Sequence, residues 1–191
     1  MPRRLSISEP ELINTAMKVF WRTGYRATTP KKLANELNVS VSTIYNKYGK
    51  EELFLQSLAH YIKGGPDYCL QTMHNSKEGL NAIRDIQYLM IDALTQGNQP
   101  DKCLIVNTVI ELRDTLPNVK EIYFDFFKRF REAYEVALNR AYDLGEIENK
   151  ENIPAYVELI IGIQFALNIL HKVKDKDGLK SYVDQQFALI K

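Results

Sequence analysis

The sequence predicts an all-α protein of about nine helices: an N-terminal three-helix helix-turn-helix domain followed by a larger C-terminal helical domain. Three observations predict it. Apolar residues recur at i, i+3, i+4 and i+7 along the chain, with no convincing alternation of period two. Capping residues and glycine or proline breakers punctuate that pattern at helix-length intervals. With 191 residues, 45% of them hydrophobic, the chain is long enough and apolar enough to bury a real core.

Ser8 and Glu11 form an S-x-x-E capping box with Pro10 in the first turn, and Leu12, Ile13, Ala16, Met17 and Phe20 give the stripe of a first helix that Gly24 ends. Thr29-Pro30 reads as N-cap and N1 of a short second helix with Leu33, Ala34 and Leu37 inward. Asn38-Val39 is a tight break, where asparagine tolerates the left-handed conformation. Ser40 caps a third helix ended by Gly49. Its Val41, Ile44 and Tyr48 share one face, and Ser42, Thr43, Asn46 and Lys47 the other. Longer helices follow. One starts at Glu51, with Gly64-Gly65-Pro66 expected to kink or end it. Others are expected from Ser76 to Gln96, Lys102 to Arg113, Asn118 to Leu144 and Asn152 to about Lys174, and the last from Asp177 to the C-terminus.

The formal net charge of +1 hides an asymmetry. Residues 1–50 hold nine basic and three acidic side chains, a balance of +6; the remainder holds 16 basic and 21 acidic ones, a balance of −5. A basic head on an acidic body points to nucleic-acid contact by the head. Two cysteines make no disulfide framework. Met1 to Ser6 has no apolar run behind it, so a signal peptide is not expected. Leu159 to Leu170, interrupted by Gln164 and Asn168, reads as too short to span a bilayer. A cytoplasmic setting without membrane contact is expected.

Two short helices joined by a three-residue turn and packed on a longer one suit a helix-turn-helix. In the second, one face docks on its own domain while the small polar face is free to meet base edges, and flanking lysines position it on phosphates. The run Phe20-x-x-x-Gly24-Tyr25-x-x-Thr28-Thr29-x-x-x-Leu33-Ala34-x-x-x-Asn38-Val39-Ser40-x-x-Thr43-Ile44-Tyr45-x-Lys47-Tyr48, then Lys50-Glu51-Glu52-Leu53, resembles the DNA-binding domain of the TetR family of bacterial transcriptional regulators. The resemblance covers roughly Ile7 to Leu58. Asn38 stands where that family often has glycine, Ser42 also where glycine is frequent, Lys47 where histidine is, and Tyr48 for phenylalanine. One residue separates Tyr48 from Lys50 where two are usual.

The resemblance implies a helix-turn-helix domain over residues 1–50 and a ligand-binding and dimerisation domain over 51–191. It implies a homodimeric regulator, by family default a repressor, that binds a palindromic double-stranded operator and is released by a small-molecule effector. Carried over by position, Ser42, Thr43 and Tyr45 face DNA, with Lys47 on a phosphate or base edge, and Thr28, Thr29 and Lys50 hold phosphates. Arg3 and Arg4 read either as a minor-groove arm or as a solubilising tail. The dimer seam is expected on the last two helices, from Ala155, Leu159, Ile163 and Leu170 with Tyr182, Val183, Phe187 and Ile190. Because the family pocket lies among the middle helices, Tyr88, Ile91, Cys103, Tyr123 and Phe127 are its candidate lining. The aromatic stripe that holds the last two reads first as core, since such stripes are more often core than ligand cage. Cys103 opens a helix next to Lys102, an arrangement that favours a thiolate, but its first reading is a small buried hydrophobe.

Enzymatic readings find little support. His60, His74 and His171 lack metal spacing, the two cysteines are far apart, and there is no phosphate-cradling glycine loop or G-x-S-x-G elbow. No cofactor is expected. The alternative to the effector-released regulator is a DNA-bound architectural or protein-interaction factor without a small-molecule ligand.

Overall fold

The computed structural model describes residues 8–97, 99–112 and 114–191, which include nine α-helices and no strand. In chain order these are α1 (Glu9–Thr23), α2 (Pro30–Glu36), α3 (Val41–Thr43), which runs directly into a π-helical turn (Ile44–Tyr48), α4 (Lys50–Asn75), α5 (Leu80–Thr95), α6 (Leu104–Leu112), α7 (Pro117–Asp143), α8 (Ile153–Leu170) and α9 (Lys176–Phe187). Arg3 and Arg4 lie outside the described residues.

The capping reading of α1 holds: Glu11 Oε2 accepts from the backbone N–H of Ser8 at 3.0 Å, and Gly24 ends the helix at φ +77°. Thr29 and Ser40 cap α2 and α3 through their side chains, and Asn38 takes the left-handed conformation, φ 52°. Of the two readings of Gly64-Gly65-Pro66, a kink or an end, the end is excluded: α4 stays helical to Asn75 although Pro66 offers no N–H to the preceding turn. Ile62 on one side and Leu70 and Met73 on the other are buried, so packing fixes the helix on both sides of the weak point. The apolar helix near the C-terminus starts at Ile153, beside the Asn152 start that the sequence predicts. The stretch Lys150–Leu170 is long and apolar enough to cross a membrane by length and composition. Its Glu158 is ion-paired with Arg131 and its Gln164 is hydrogen-bonded to Tyr134.

The chain forms two compact units, one up to Pro66 together with Cys103–Tyr123, the other of Asp67–Lys102 and Phe124–Lys191. The first unit is thus larger than residues 1–50. Its core joins Leu12, Ala16, Val19 and Phe20 of α1, Leu33, Ala34 and Leu37, and Ile44 to Leu53 and Phe54 of α4, Leu112 of α6 and Val119 of α7. Three short helices alone bury too little apolar surface, and the later helices complete the core.

In the second unit α5, α8 and α9 pack together through Ile83, Ile86 and Ile91, Val157, Ile160, Ile163 and Leu167, and Leu179, Val183 and Phe187. Polar pairs line the α5–α9 edge. Tyr88 donates to Asp184 at 2.6 Å, Arg84 lies 3.5 Å from the same carboxylate, and Lys176 pairs with Asp92 at 2.8 Å. The α4–α5 connection is held from α7. Arg140 donates to the carbonyls of Met73, His74 and Glu78 at 3.2, 2.8 and 3.0 Å, so a cation sits at a helix C-terminus. Glu146 accepts from Leu80 N–H at 2.7 Å, so an anion sits at the start of α5. Gly79 lies between them, and a Cβ there would come within 2.5 Å of Ala141 Cα.

Candidate nucleic-acid interface

The recognition segment is anchored by one residue. Ile44 is fully buried against Leu33, Leu37 and Leu53 in the core of the first unit, and Tyr48 packs beside it half-buried. Val41, expected on the same face, is exposed. The outward face carries Ser42, Tyr45, Asn46 and Lys47, with Tyr45 64% exposed. Ser40 Oγ accepts from Thr43 N–H at 3.0 Å and lies 2.7 Å from Ser42 Oγ and 2.8 Å from Thr43 Oγ1, so one hydroxyl cluster starts the helix. The shortened link to α4 has a structural counterpart. The last five residues widen into a π turn that closes with Gly49 N–H on Ile44 O at 2.7 Å, and Gly49, at φ +72°, makes the connection alone.

Of the residues expected to hold phosphates, Thr29 is exposed and caps α2, accepting from Lys32 N–H at 3.1 Å. Lys50 is half-buried with Nζ 4.2 Å from the centroid of the Tyr25 ring, and burial lowers its pKa against the opposing pull of Glu111. Thr28 does not reach the surface. It is fully buried, its hydroxyl donates to Gly24 O at 2.5 Å and lies 2.6 Å from Thr23 Oγ1, and its N–H is taken by Tyr25 O. It holds the α1–α2 turn rather than DNA; its neighbour Thr29 alone points outward. That turn is also held from α6, because Glu111 accepts from the N–H groups of Tyr25 and Arg26 at 2.9 and 2.6 Å. Spacing gave no signal of this, since the partners are 86 and 85 residues apart.

The residues expected around an effector fall into both units. In the first, Tyr123 packs on the core beside Val119, and Cys103 at the start of α6 receives a hydrogen bond from Tyr61 Oη at 3.7 Å. Burial pushes the Cys103 thiol above its ordinary pKa, outweighing the N–H groups of Val106 and Ile105 and the Tyr61 hydroxyl, which pull the other way. In the second, Ile91 is fully buried on α5, and Phe127 packs against Phe126 and Phe165 with ring centroids 5.7 and 5.5 Å away. Tyr88 turns outward to α9, with Asp184 on its hydroxyl and Lys180 over its ring. The inward position belongs to Gln87, four residues from both Ile83 and Ile91 and fully buried. Its place on the apolar stripe was the sequence signal for it.

Comparison with known proteins matches two family models. Residues 12–56 match that of bacterial regulatory proteins of the tetR family, and residues 79–186 match the tetracyclin repressor-like C-terminal domain. The chain belongs to the TetR family. It is a DNA-binding transcriptional regulator, and its family consists of regulators rather than enzymes. It is 26% identical over 193 residues to the HTH-type transcriptional regulator YezE of Bacillus subtilis (strain 168), covering 100% of both chains. It is 28% identical over 102 residues to the HTH-type transcriptional repressor ComR of Escherichia coli (strain K12), covering 52% of this chain and 49% of ComR. Its fold is similar over 100% of both chains, TM-score 0.82 at 16% identity, to a cysteine mutant of the TetR family regulator CifR complexed with 26-bp double-strand operator DNA.

Proposed function

We propose that this TetR-family regulator acts as a homodimeric repressor that binds a palindromic operator and is released by a small-molecule effector. The observation that carries the DNA-binding part is the division of labour in the third helix. Ile44 is sunk in the core while Ser42, Tyr45 and Lys47 stand outward, beside Thr43, on a head of net positive charge. These four, with Thr29 and Lys50 toward phosphates, are the proposed contact set. Residues 1–50 supply the recognition surface, and 51–191 the effector and dimer functions, with Ile91 and Phe127 in the apolar wall of the effector space.

Dimerisation is supported by α8. Ile163, Val183, Phe187 and Ile190, expected at the seam, are buried within their own unit. Among the apolar side chains that α8 and its C-terminal turn leave exposed, Ala155, Phe165, Ile169 and Val173 are spaced for one face of a helix, with Gly162 exposed between them. A second copy of the same face would cover this stripe isologously. The test is selection of bound sequences from a random duplex pool with the full chain. The expected result is a palindrome with half-sites about one helical turn or slightly more apart. An asymmetric or random consensus would overturn the reading.

A further inference from the structure

Within the second unit, Gln87 on α5, Tyr134 on α7 and Gln164 on α8 form a polar chain through an apolar interior. Gln87 and Tyr134 are fully buried. Gln87 Nε2–H donates to Tyr134 Oη at 3.0 Å, and Tyr134 Oη donates to Gln164 Oε1 at 2.5 Å. Tyr134 has one hydroxyl proton, and Gln164 receives it, so Gln87 must present its NH2 group and turn its Oε1 away. That oxygen is buried and has no hydrogen-bond partner. Reversing both amides would move the unmatched group from oxygen to nitrogen without satisfying it.

A fully buried amide with one unmatched end costs free energy that leucine at the same point of the stripe would not. The surroundings are apolar and aromatic. Ile83 and Ile91 lie one turn either side on α5, Phe130 meets the Tyr134 ring edge-on at 4.6 Å, and Phe126 stacks on Phe130 at 5.5 Å. Apolar surroundings with one unmatched polar group have the composition of a small-molecule site. Arg129, whose guanidinium lies 5.9 Å from the Phe126 ring, is already paired with Asp67 and Asp125, and an unpaired charge is costly to bury. Burial pushes the Tyr134 phenol far above its ordinary pKa, and Cys69, which acts on it electrostatically, is raised by burial as well.

We infer that the interior between α5, α7 and α8 binds a small uncharged molecule with an apolar, aromatic-compatible body and one hydroxyl or N–H group, which donates to the side-chain amide of Gln87. This deepens the effector reading above and rests on it only for the step of operator release.

The experiment uses the full-length protein and three probes of similar size, phenol, toluene and benzoate, with binding followed by calorimetry and thermal shift. Phenol should bind saturably, about tenfold or more tighter than toluene, because only phenol satisfies the amide. Benzoate should not bind. Gln87→Leu should bring phenol down to the level of toluene while toluene binding persists, which also shows that the variant is folded. Gln87→Met serves the same purpose if the leucine variant does not fold. Equal binding of phenol and toluene by the wild type, failure of both to bind, or a phenol preference that survives both substitutions would overturn the inference. Operator affinity is measured separately by fluorescence anisotropy. Phenol binding that depends on Gln87 and leaves operator affinity unchanged would uphold the site and overturn effector release.

Discussion

Glu111 and Arg26 meet across 85 residues of sequence: the α6 carboxylate accepts the Arg26 backbone N–H at 2.6 Å through one oxygen and the Tyr25 N–H at 2.9 Å through the other. The turn leaving α1 exposes two consecutive N–H groups, and an anion there satisfies both. The same turn holds Thr28 and starts α2, so α6 helps to set the entry into the helix-turn-helix. Glu111→Ala is expected to lower stability by about 1–3 kcal/mol, since a part-buried donor at Tyr25 and an exposed one at Arg26 lose their acceptor. Chemical denaturation checks this, and operator affinity should fall with it.

Gly24 lies at the other side of that contact. At φ +77° an L side chain is strained, and a Cβ would come within 2.8 Å of Glu111 Oε2. Gly24→Ala is therefore expected to cost about 1–2 kcal/mol from the left-handed backbone alone, and more from the collision. In a Glu111→Ala background only the backbone part remains. A double-mutant cycle should show that non-additivity, and strictly additive effects would place the Glu111 carboxylate away from Gly24.

Thr28 should separate cleanly from the outward residues Tyr45 and Lys47. Thr28→Val removes a buried hydroxyl that donates to Gly24 O and should lower the melting temperature while leaving the salt dependence of operator binding unchanged. Tyr45→Ala should leave the melting temperature unchanged and weaken operator binding. Lys47→Ala should flatten the slope of log affinity against log salt by about one unit if it neutralises a phosphate. An unchanged slope assigns Lys47 to a base edge instead.

Both thiols are raised above their ordinary pKa, chiefly by burial, so the thiolate is disfavoured at neutral pH. Alkylation of Cys103 by iodoacetamide at pH 7.5 should be slower in the native protein than in urea-unfolded chain, as mass spectrometry would show. Tyr61→Phe removes a donor to Sγ and should raise the pKa further, without accelerating alkylation. The sign for stability follows: a folded-state thiol pKa above the unfolded one favours folding below the unfolded pKa, and that contribution is lost as pH rises through the folded value. Rapid native-state alkylation would instead make Cys103 a reactive thiol.

Phe165→Asp or Ile169→Asp on the exposed stripe of α8 should give a folded monomer with weakened operator binding, measured by light scattering at micromolar concentration. A wild type that is itself monomeric under these conditions would remove the dimer from the proposal.

The helix-turn-helix was legible because its signals are local. Ser8, Thr29 and Ser40 announce helix starts and Gly24 and Gly49 their ends. Asn38 fits a left-handed turn, and Ile44 marks the docked face of the third helix. Caps and turns depend on neighbours within a few residues, and the period of the apolar stripe fixes which side chains share a face. At Gly64-Gly65-Pro66, where local signals allow a kink or an end, the helix continues because buried residues on either side hold it.

Local patterning alone thus fixes the all-α class, the helix order and the outward set Ser42, Tyr45 and Lys47 on a positively charged head. The tertiary structure alone decided which of two neighbours turns inward. It buries Thr28 and leaves Thr29 out, and it turns Tyr88, expected inward, to α9. It also closed contacts that have no sequence periodicity: Glu111 on the α1–α2 turn, Arg140 on the end of α4, and Tyr134 between Gln87 and Gln164. The physical reason is rotational. A stripe fixes the phase of a helix relative to itself, but its orientation toward other helices is set by packing among residues far apart in the chain, and there each buried polar group finds its partner or is left without one.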